Sequence, residues 1–541
     1  MSDKVDHDVI VVGAGFAGLY ALYRLRNLGF DVRVVDAAGG IGGTWYWNAY
    51  PGARCDVESV TYSYSFSPEL DQEWEWTERY ATQPEILRYI NYVADRFDLR
   101  RDVRLGVRIA SAVYDENAVQ WALTSDAGDE ISSRFVVFAT GSLSAPLEPT
   151  FPGASTFVGE SYRTQSWPQR DVDLGGKRVA LIGTGSSGMQ LLPVVAQDAA
   201  QVTVFQRTPN YSAPGRNRVL DAQDVAQMKA NYPQRRAADR NARNGVLLDY
   251  NDRSGTEMSP AERGAELEKR WAGGGVLPIV VSFRDLLQSP ETNGVVQDFI
   301  RERIRDRVED PDVAELLCPS DHMFGTKRPC VDHGYFEAFN RPNVSLVSVR
   351  DNPIVAISPA GPVLADGSAY EVDVVVYANG YDAVSGALSR IDIYGRGGRT
   401  LRAEWLRGPR TYLGLSFAGF PNMFSIGGPG GPAIFAMMIG LAEQNVDWLA
   451  DCLVYMRDHG IGAIEASVAA QDEWTADIQR VADSIIVYRQ ADKSYFTGGN
   501  VPGKPRAFPI FAGGMQLYRS ICDKAAASGY EGFELTGRET K

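Results

Sequence analysis

Apolar residues along this chain recur in a pattern that is written twice. Residues 8–12 (Asp-Val-Ile-Val-Val) form a nearly unbroken apolar run, which predicts a strand buried on both faces of a parallel sheet. The run leads at once into Gly13, and Leu19, Leu22 and Leu25 follow at helical spacing. A second strand pattern, 31–35, closes on Asp36. The same strand, glycine turn, helix and strand return at 178–182, 183–188 and 201–205. Two more apolar runs, 135–138 and 374–377, each end in a small-residue turn, at Gly141 and Gly380. Strands alternating with helices predict an α/β fold with two Rossmann-like dinucleotide-binding domains. The two small-residue turns mark where the chain passes between them, so that one domain is inserted in the other. Residues 221–321 are helical and charged, with Arg235-Arg236 and Arg301-Glu302-Arg303 typical of a solvated face, and predict a helical insertion.

The glycines carry the first chemistry. In Gly13-Ala-Gly15-Phe16-Ala-Gly18 the first glycine permits a tight turn, the second lets backbone approach a pyrophosphate, and the third lets helix pack on strand. The helix N-terminus favours the phosphate charge, and Asp36 suits a ribose diol. The second copy, Gly183-Thr184-Gly185-Ser186-Ser187-Gly188, keeps the spacing: Gly13 to Asp36 and Gly183 to Gln206 are both 23 positions. Where the first copy has an acid, the second has Gln206-Arg207-Thr208. A carboxylate there would repel a 2′-phosphate, and a guanidinium pairs with it. FAD is therefore expected on the first unit and NADPH on the second.

Composition narrows the picture. The 541 residues predict two to four domains, and 44% hydrophobic with 23% charged residues excludes a largely disordered chain. A net charge of −14 argues against nucleic acid or anionic membrane as a partner. Five cysteines without a CxxC make a poor disulfide framework and point to the reducing cytoplasm. The polar start runs straight into a strand pattern, so no signal peptide is expected. Residues 411–442 carry no charge, but Pro421, Pro429, Pro432 and seven glycines break the run below the roughly 20 residues a membrane helix needs. Only His7, His322, His333 and His459 exist. No HxH or HExxH spacing predicts a metal site, and no GxSxG elbow predicts a hydrolase. His7 falls in a start that reads as disordered, and His459 at an exposed helix end.

Three further segments give the chain a family likeness. Gly42-Gly43-Thr44-Trp45-Tyr-Trp-Asn-Ala-Tyr50-Pro-Gly-Ala-Arg54-Cys-Asp56, Phe324-Gly-Thr-Lys327-Arg328-Pro329, and Ser494-Tyr495-Phe-Thr-Gly-Gly-Asn500-Val-Pro-Gly-Lys504-Pro-Arg506 resemble the class B flavoprotein monooxygenases, in their type I Baeyer–Villiger branch. The likeness covers essentially the whole chain. It implies that NADPH reduces FAD, that O2 adds at the flavin C4a position, and that the resulting peroxide attacks a ketone to give an ester or lactone. Arg328 is then the fixed cation that stabilises the peroxide anion and the adduct oxyanion, with Asp56 as its partner. Cofactor contacts are expected from Gly13, Gly15, Phe16, Gly18, Asp36, Gly43, Thr44, Trp45, Tyr50, Arg54, Asp56, Tyr62 and Met438. They are also expected from Thr184, Gly185, Ser186, Ser187, Gly188, Gln190, Arg207, Thr208, Lys327 and Tyr495. Ile434, Phe435, Met437 and Met438 line the flavin face or a core helix. The implied division is 1–142 and 381–541 for FAD, 152–212 and 330–380 for NADPH, 221–321 as the insertion beside the substrate, and a mobile loop near 487–506.

The likeness also has departures. The family fingerprint F-x-G-x-x-x-H-x-x-x-W-P reads here Phe157-Val-Gly159-Glu160-Ser-Tyr-Arg163-Thr-Gln-Ser-Trp167-Pro168, with Arg163 for histidine. Tyr495 stands for a common tryptophan, and Asn379 for a common threonine. Arg163 is expected to alter coupling between the domains, with Glu160 as its local partner. Ketone oxygenation is the leading reading. An S- or N-oxygenase, and a flavin-binding protein with impaired turnover, are the alternatives; the ketone, its regiochemistry and the oligomeric state are left open.

Overall fold

The computed structural model describes residues 5–537, so the outermost four positions at each end of the expected domain limits lie outside the described residues. The first apolar run forms the strand His7–Val12, paired in parallel with Val32–Asp36 on one side and Glu130–Phe138 on the other. Val9, Ile10 and Val11 are fully buried, as a strand covered on both faces requires. The sheet runs Asp392–Tyr394, Ile109–Asp115, Gln120–Ser125, Glu130–Phe138, His7–Val12, Val32–Asp36, Val103–Leu105, with Met423–Ser425 added beside Glu130–Phe138. Two of its strands thus come from the far end of the chain. His7 is not in a disordered start: it opens the first strand and its ring binds Asp31 at 3.0 Å.

The second sheet has five strands, all parallel, in the order Val344–Ser348, Gln201–Gln206, Arg178–Ile182, Val374–Tyr377, Glu160–Arg163. Helices Phe16–Asn27 and Ser186–Asp198 follow the two glycine turns. Each sheet carries apolar clusters on its two faces. The two nucleotide units are therefore Rossmann-type sheets, the second inserted in the first.

Four helices of the insertion begin on side-chain caps: Ala222–Asn241 on Asp221, Pro260–Gly273 on Ser259, Pro290–Arg305 on Ser289 and Pro311–Leu317 on Asp310. Each cap satisfies orphan N–H groups and contributes about 1 kcal/mol, and three are followed by proline at the first helical position, where its missing N–H costs nothing. The insertion does not pack as one body. Leu267, Trp271, Val296, Phe299, Ile300 and Ile304 join the core of the second sheet. Helix Ala222–Asn241 instead turns two arginines into the first domain. Arg236 pairs with Asp71 at 2.6 Å and donates to Ser63 and Tyr64, while Arg235 pairs with Asp239 and donates to Thr61. The expectation of a solvated Arg235-Arg236 face is thus corrected: these guanidiniums staple the insertion to residues 61–71.

Candidate active site

The first glycine turn is enclosed by its own neighbours. Gly13 sits at φ +117° under the Ala139 carbonyl, a position where a Cβ would overlap that oxygen. Gly15 faces Gly43, and a Cβ on Gly43 would stand 3.0 Å from the Gly15 Cα. Asp36 accepts from Ala14 N at 2.6 Å and Ala38 N at 2.7 Å. A carboxylate has about four acceptor sites, so both oxygens keep one for a ribose hydroxyl. Phe16 lies among Tyr62, Tyr64 and Tyr89, with ring centroids 5.1–6.2 Å away. Trp45 donates to the Tyr62 hydroxyl at 3.0 Å. Thr44 and Trp45 open a short helix, Thr44–Trp47, beside the turn. Met438 starts the helix Met438–Asp458, its methyl 3.4 Å from where a Gly427 Cβ would lie.

The second turn repeats the backbone without the enclosure. Gly183 sits at φ +111° under the Ala378 carbonyl, and Gly188 packs on Gly183. No atom lies within 4 Å of a Cβ built on Gly185, and Gly185 and Ser186 are exposed. Thr184 donates to the Thr208 carbonyl at 3.0 Å, and Ser186 lies 3.3 Å from the Cys330 sulfur. Buried side-chain oxygens of Gln206, Asn210, Asn379 and Asn500 have no protein partner. The exposed backbone of Gly185 and Ser186, at the N-terminus of the helix Ser186–Asp198, fits the pyrophosphate of a dinucleotide.

Residues of the first unit reach the second through Gln190. Its side-chain oxygen accepts from the Tyr50 hydroxyl at 2.8 Å and its amide donates to the Arg54 carbonyl at 3.1 Å. Burial pushes the Tyr50 phenol up to about 12, and Ser187 lies beside it. The Arg54 guanidinium points elsewhere, to Glu78 at 3.0 Å and the Tyr80 carbonyl. That places its charge near His333, whose ring burial and Arg54 together push down to about 4.

Arg328 and Asp56, 272 positions apart, meet here. The Arg328 Nε donates to Asp56 Oδ2 at 2.7 Å, and Nη1 donates to the Ile434 carbonyl at 3.1 Å. Asn210 donates to the Arg328 carbonyl at 3.0 Å and to the Cys330 sulfur, fixing the backbone on both sides of Pro329. The Asp56 carboxylate raises the Arg328 guanidinium above its ordinary range, against the opposing effect of burial. Nη2 has no protein acceptor among the described residues, and 31% of the side chain stays open. A charge that cannot be lost, held by two bonds and with three donors spare, two of them on Nη2, is built to receive an anion. Tyr495 lies within electrostatic reach of both partners, its phenol raised chiefly by burial. Asn210 and the Ile434 carbonyl carry no sequence signal of their own.

Lys327, beside Arg328, belongs to a different group. Burial lowers it, and Arg207, Arg350 and Lys493 add to the effect against the opposing pull of Asp321. Arg350 binds Asp321 at 2.8 Å and reaches the Arg207 carbonyl at 3.5 Å. Arg163 ends the edge strand Glu160–Arg163, pairs in register with Tyr377, and its guanidinium binds Glu148. Glu160 is not its partner, because residues three apart on a strand face opposite sides. Glu160 instead accepts from Tyr162 at 2.9 Å and binds Lys177. All five cysteines are buried and free, and no helix among the described residues is long and apolar enough to cross a membrane.

This geometry, two dinucleotide units with a carboxylate-held arginine between them, defines a pyridine-nucleotide-dependent flavoprotein oxidoreductase. Residues 7–229 match the pyridine nucleotide-disulphide oxidoreductase family model. The chain is 40% identical to the acetone monooxygenase (methyl acetate-forming) of Gordonia sp. strain TY-5 over 98% of this chain and 99% of that protein. It is 39% identical to a Baeyer–Villiger monooxygenase of Pseudooceanicola batsensis, covering 97% and 95%. A phenazine N-monooxygenase of Lysobacter antibioticus is also 39% identical, covering 99% and 98%. Among solved structures, oxidized steroid monooxygenase bound to NADP superposes with a TM-score of 0.93 at 48% identity, covering 98% and 100%. The OTEMO complex with FAD and NADP gives 0.94 at 37% identity, with the same coverage. The chain belongs to the FAD- and NADP-dependent Baeyer–Villiger monooxygenases.

Proposed function

We propose that the protein converts a small ketone, O2, NADPH and a proton into an ester or lactone, NADP+ and water, with Arg328 as the charge-stabilising residue and Asp56 as its orienting partner. Bound FAD, once reduced, supplies the activation of O2. Arg328 holds a positive charge at a fixed place, and its Nη2 donors meet the carbonyl oxygen as negative charge grows there. Asp56 keeps the guanidinium charged and aims it, the Ile434 carbonyl prevents it from swinging away, and Asn210 fixes the Arg328 backbone. The unpartnered Nη2 donors of Arg328 are the observation that carries this reading.

The strand membership of the two sheets supports the proposed domain division. FAD is assigned to 1–142 and 381–541, with the pyrophosphate on residues 13–18 and the adenosine ribose on Asp36. NADPH is assigned to 152–212 and 330–380, with the 2′-phosphate on Arg207, Thr208 and Lys327. A second reading, N- or S-oxygenation, is favoured by the likeness to a phenazine N-monooxygenase. Incubating the purified FAD-bound protein with NADPH, air and a panel of acetone, cyclohexanone, phenylacetone and thioanisole decides between them. Ester or lactone is the expected product; sulfoxide alone would replace the ketone reading with the second.

A further inference from the structure

Two arginines follow neighbouring strands of the second sheet. Gln201–Gln206 and Val344–Ser348 run parallel, with Ser348 in register with Gln206, so both strands finish at the same end of the sheet. Val349 N donates to the Gln206 carbonyl at 2.8 Å, and the Arg350 Nε lies 3.5 Å from the Arg207 carbonyl. Arg207 and Arg350 thus leave the sheet side by side, although 143 positions separate them in the chain. Asp321 is the one carboxylate paired with either of them among the described residues. One of its oxygens accepts from Arg350 Nη2 at 2.8 Å, and the other meets His322 Nδ1 at 2.6 Å.

His322 braces that carboxylate. Its side chain is 8% exposed, Tyr211 donates to its carbonyl at 3.0 Å, and the two rings meet edge to face at 5.2 Å. Burial, with the charge of Lys327, pushes the imidazole below its ordinary range against the pull of Asp321. A ring that is neutral near pH 7 carries its one proton on Nδ1, toward the carboxylate. The buried Nε2, without a partner among the described residues, is then a bare acceptor. His322 therefore adds no charge, and two guanidiniums share one anion.

Like charges held side by side repel. Arg350 commits Nη2 to Asp321 and turns Nε to the Arg207 carbonyl, which leaves Nη1 unspent, and the Arg207 guanidinium has no protein acceptor among the described residues. A dianionic phosphate reverses the sign of the repulsion and takes up the free donors in charge-assisted bonds. Resting on the assignment of the 2′-phosphate to Arg207, we propose that Arg350, aimed by Asp321, is a second specificity-determining guanidinium for the 2′-phosphate of NADPH. The preference for NADPH over NADH then has two sources, the end of one strand and the end of its neighbour.

The test uses the FAD-bound protein and two pairs of probes, NADP+ with NAD+ and adenosine 2′,5′-bisphosphate with adenosine 5′-monophosphate. The members of each pair differ by the 2′-phosphate alone. Dissociation constants are measured by calorimetry at several salt concentrations. Arg350→Gln is expected to weaken the phosphate-bearing member of each pair about three- to tenfold, with the other member unchanged. It should also flatten the salt dependence of NADP+ binding. Arg350→Lys, which keeps the charge and loses the planar fork, recovers part of the loss. Equal weakening of both members of a pair would overturn the proposal and place Arg350 against the adenine or in the local packing. If Arg207→Ala narrows the NADP+/NAD+ ratio while Arg350→Gln binds all four probes as the parent does, the role of Arg350 is overturned and the phosphate site stands. If Arg207→Ala leaves that ratio unchanged, the phosphate site itself is misplaced and the role of Arg350 falls with it.

Discussion

Gly13 and Gly183 occupy the same place in two copies of one backbone unit, both at positive φ beneath a strand-exit carbonyl. What surrounds them differs. The first turn is closed by residues 43–62 of its own domain: Gly43 on Gly15, Trp45 and Tyr62 around Phe16. The second is open at Gly185, and Arg350, which reaches the Arg207 carbonyl, comes to it from a segment distant in sequence. A site walled by short-range neighbours retains its ligand; a site walled by separate segments must close around one that comes and goes. On the proposed assignment of FAD to the first turn and NADPH to the second, the difference separates a resident cofactor from a consumed one on a shared framework.

The strongest way to break this division is at the group between the two sites. Arg328→Ala should cut ester formation by about 10²-fold or more, the usual cost of losing an oxyanion donor. Flavin absorbance and NADP+ affinity should stay near parent values, as measured by product analysis beside spectral titration. A variant that still oxygenates ketones at the parent rate would remove Arg328 from the mechanism.

Next come the turns. Gly43→Ala places a Cβ 3.0 Å from Gly15 at φ +54°, strain of order 1–3 kcal/mol, and should lower the FAD content of the purified protein. Gly185→Ala meets nothing within 4 Å, so the FAD content should hold while the KM for NADPH rises. Equal loss of FAD in both would erase the contrast drawn above.

Arg207→Ala should raise the NADPH KM roughly tenfold, about 1.4 kcal/mol, and leave NADH nearly unaffected. The smallest effect is expected at the fingerprint departure. Arg163 and Glu148 keep 40% and 55% of their side chains exposed, and exposed pairs contribute about 0–1 kcal/mol. Arg163→His should change the ratio of product to NADPH consumed by less than about twofold; a large change, read from oxygen and peroxide balances, would assign this edge strand a part in coupling.

How much of this was readable in the chain depends on range. Residues 8–36 and 178–208 declare themselves because the backbone does the binding, and glycine spacing records backbone geometry. The meeting of Asp56 with Arg328 leaves no local trace: only likeness to a family suggested it. Glu160 was an attractive partner for Arg163 in sequence and the wrong one in space, since strand periodicity puts positions three apart on opposite faces. Arg235-Arg236 looked solvated because a charge pair on a helix says nothing about what docks on it. Arg350 carries no pattern at all, and its place beside Arg207 depends on where a remote segment comes to rest.

The order of strands has a consequence for synthesis. The inner sheet is complete once residues 374–377 emerge, but the outer sheet still lacks Asp392–Tyr394 and Met423–Ser425. On the ribosome, where domains fold as units and the N-terminal portion emerges first, the later-starting domain is the first able to close. The earlier one must wait, its Ile109–Asp115 strand and the Val136–Phe138 stretch each unpaired on one side, until the chain returns to it. A nascent chain whose first 385 or so residues have left the ribosome should therefore carry a folded inner sheet beside an exposed edge, the state in which this protein is most open to misassembly.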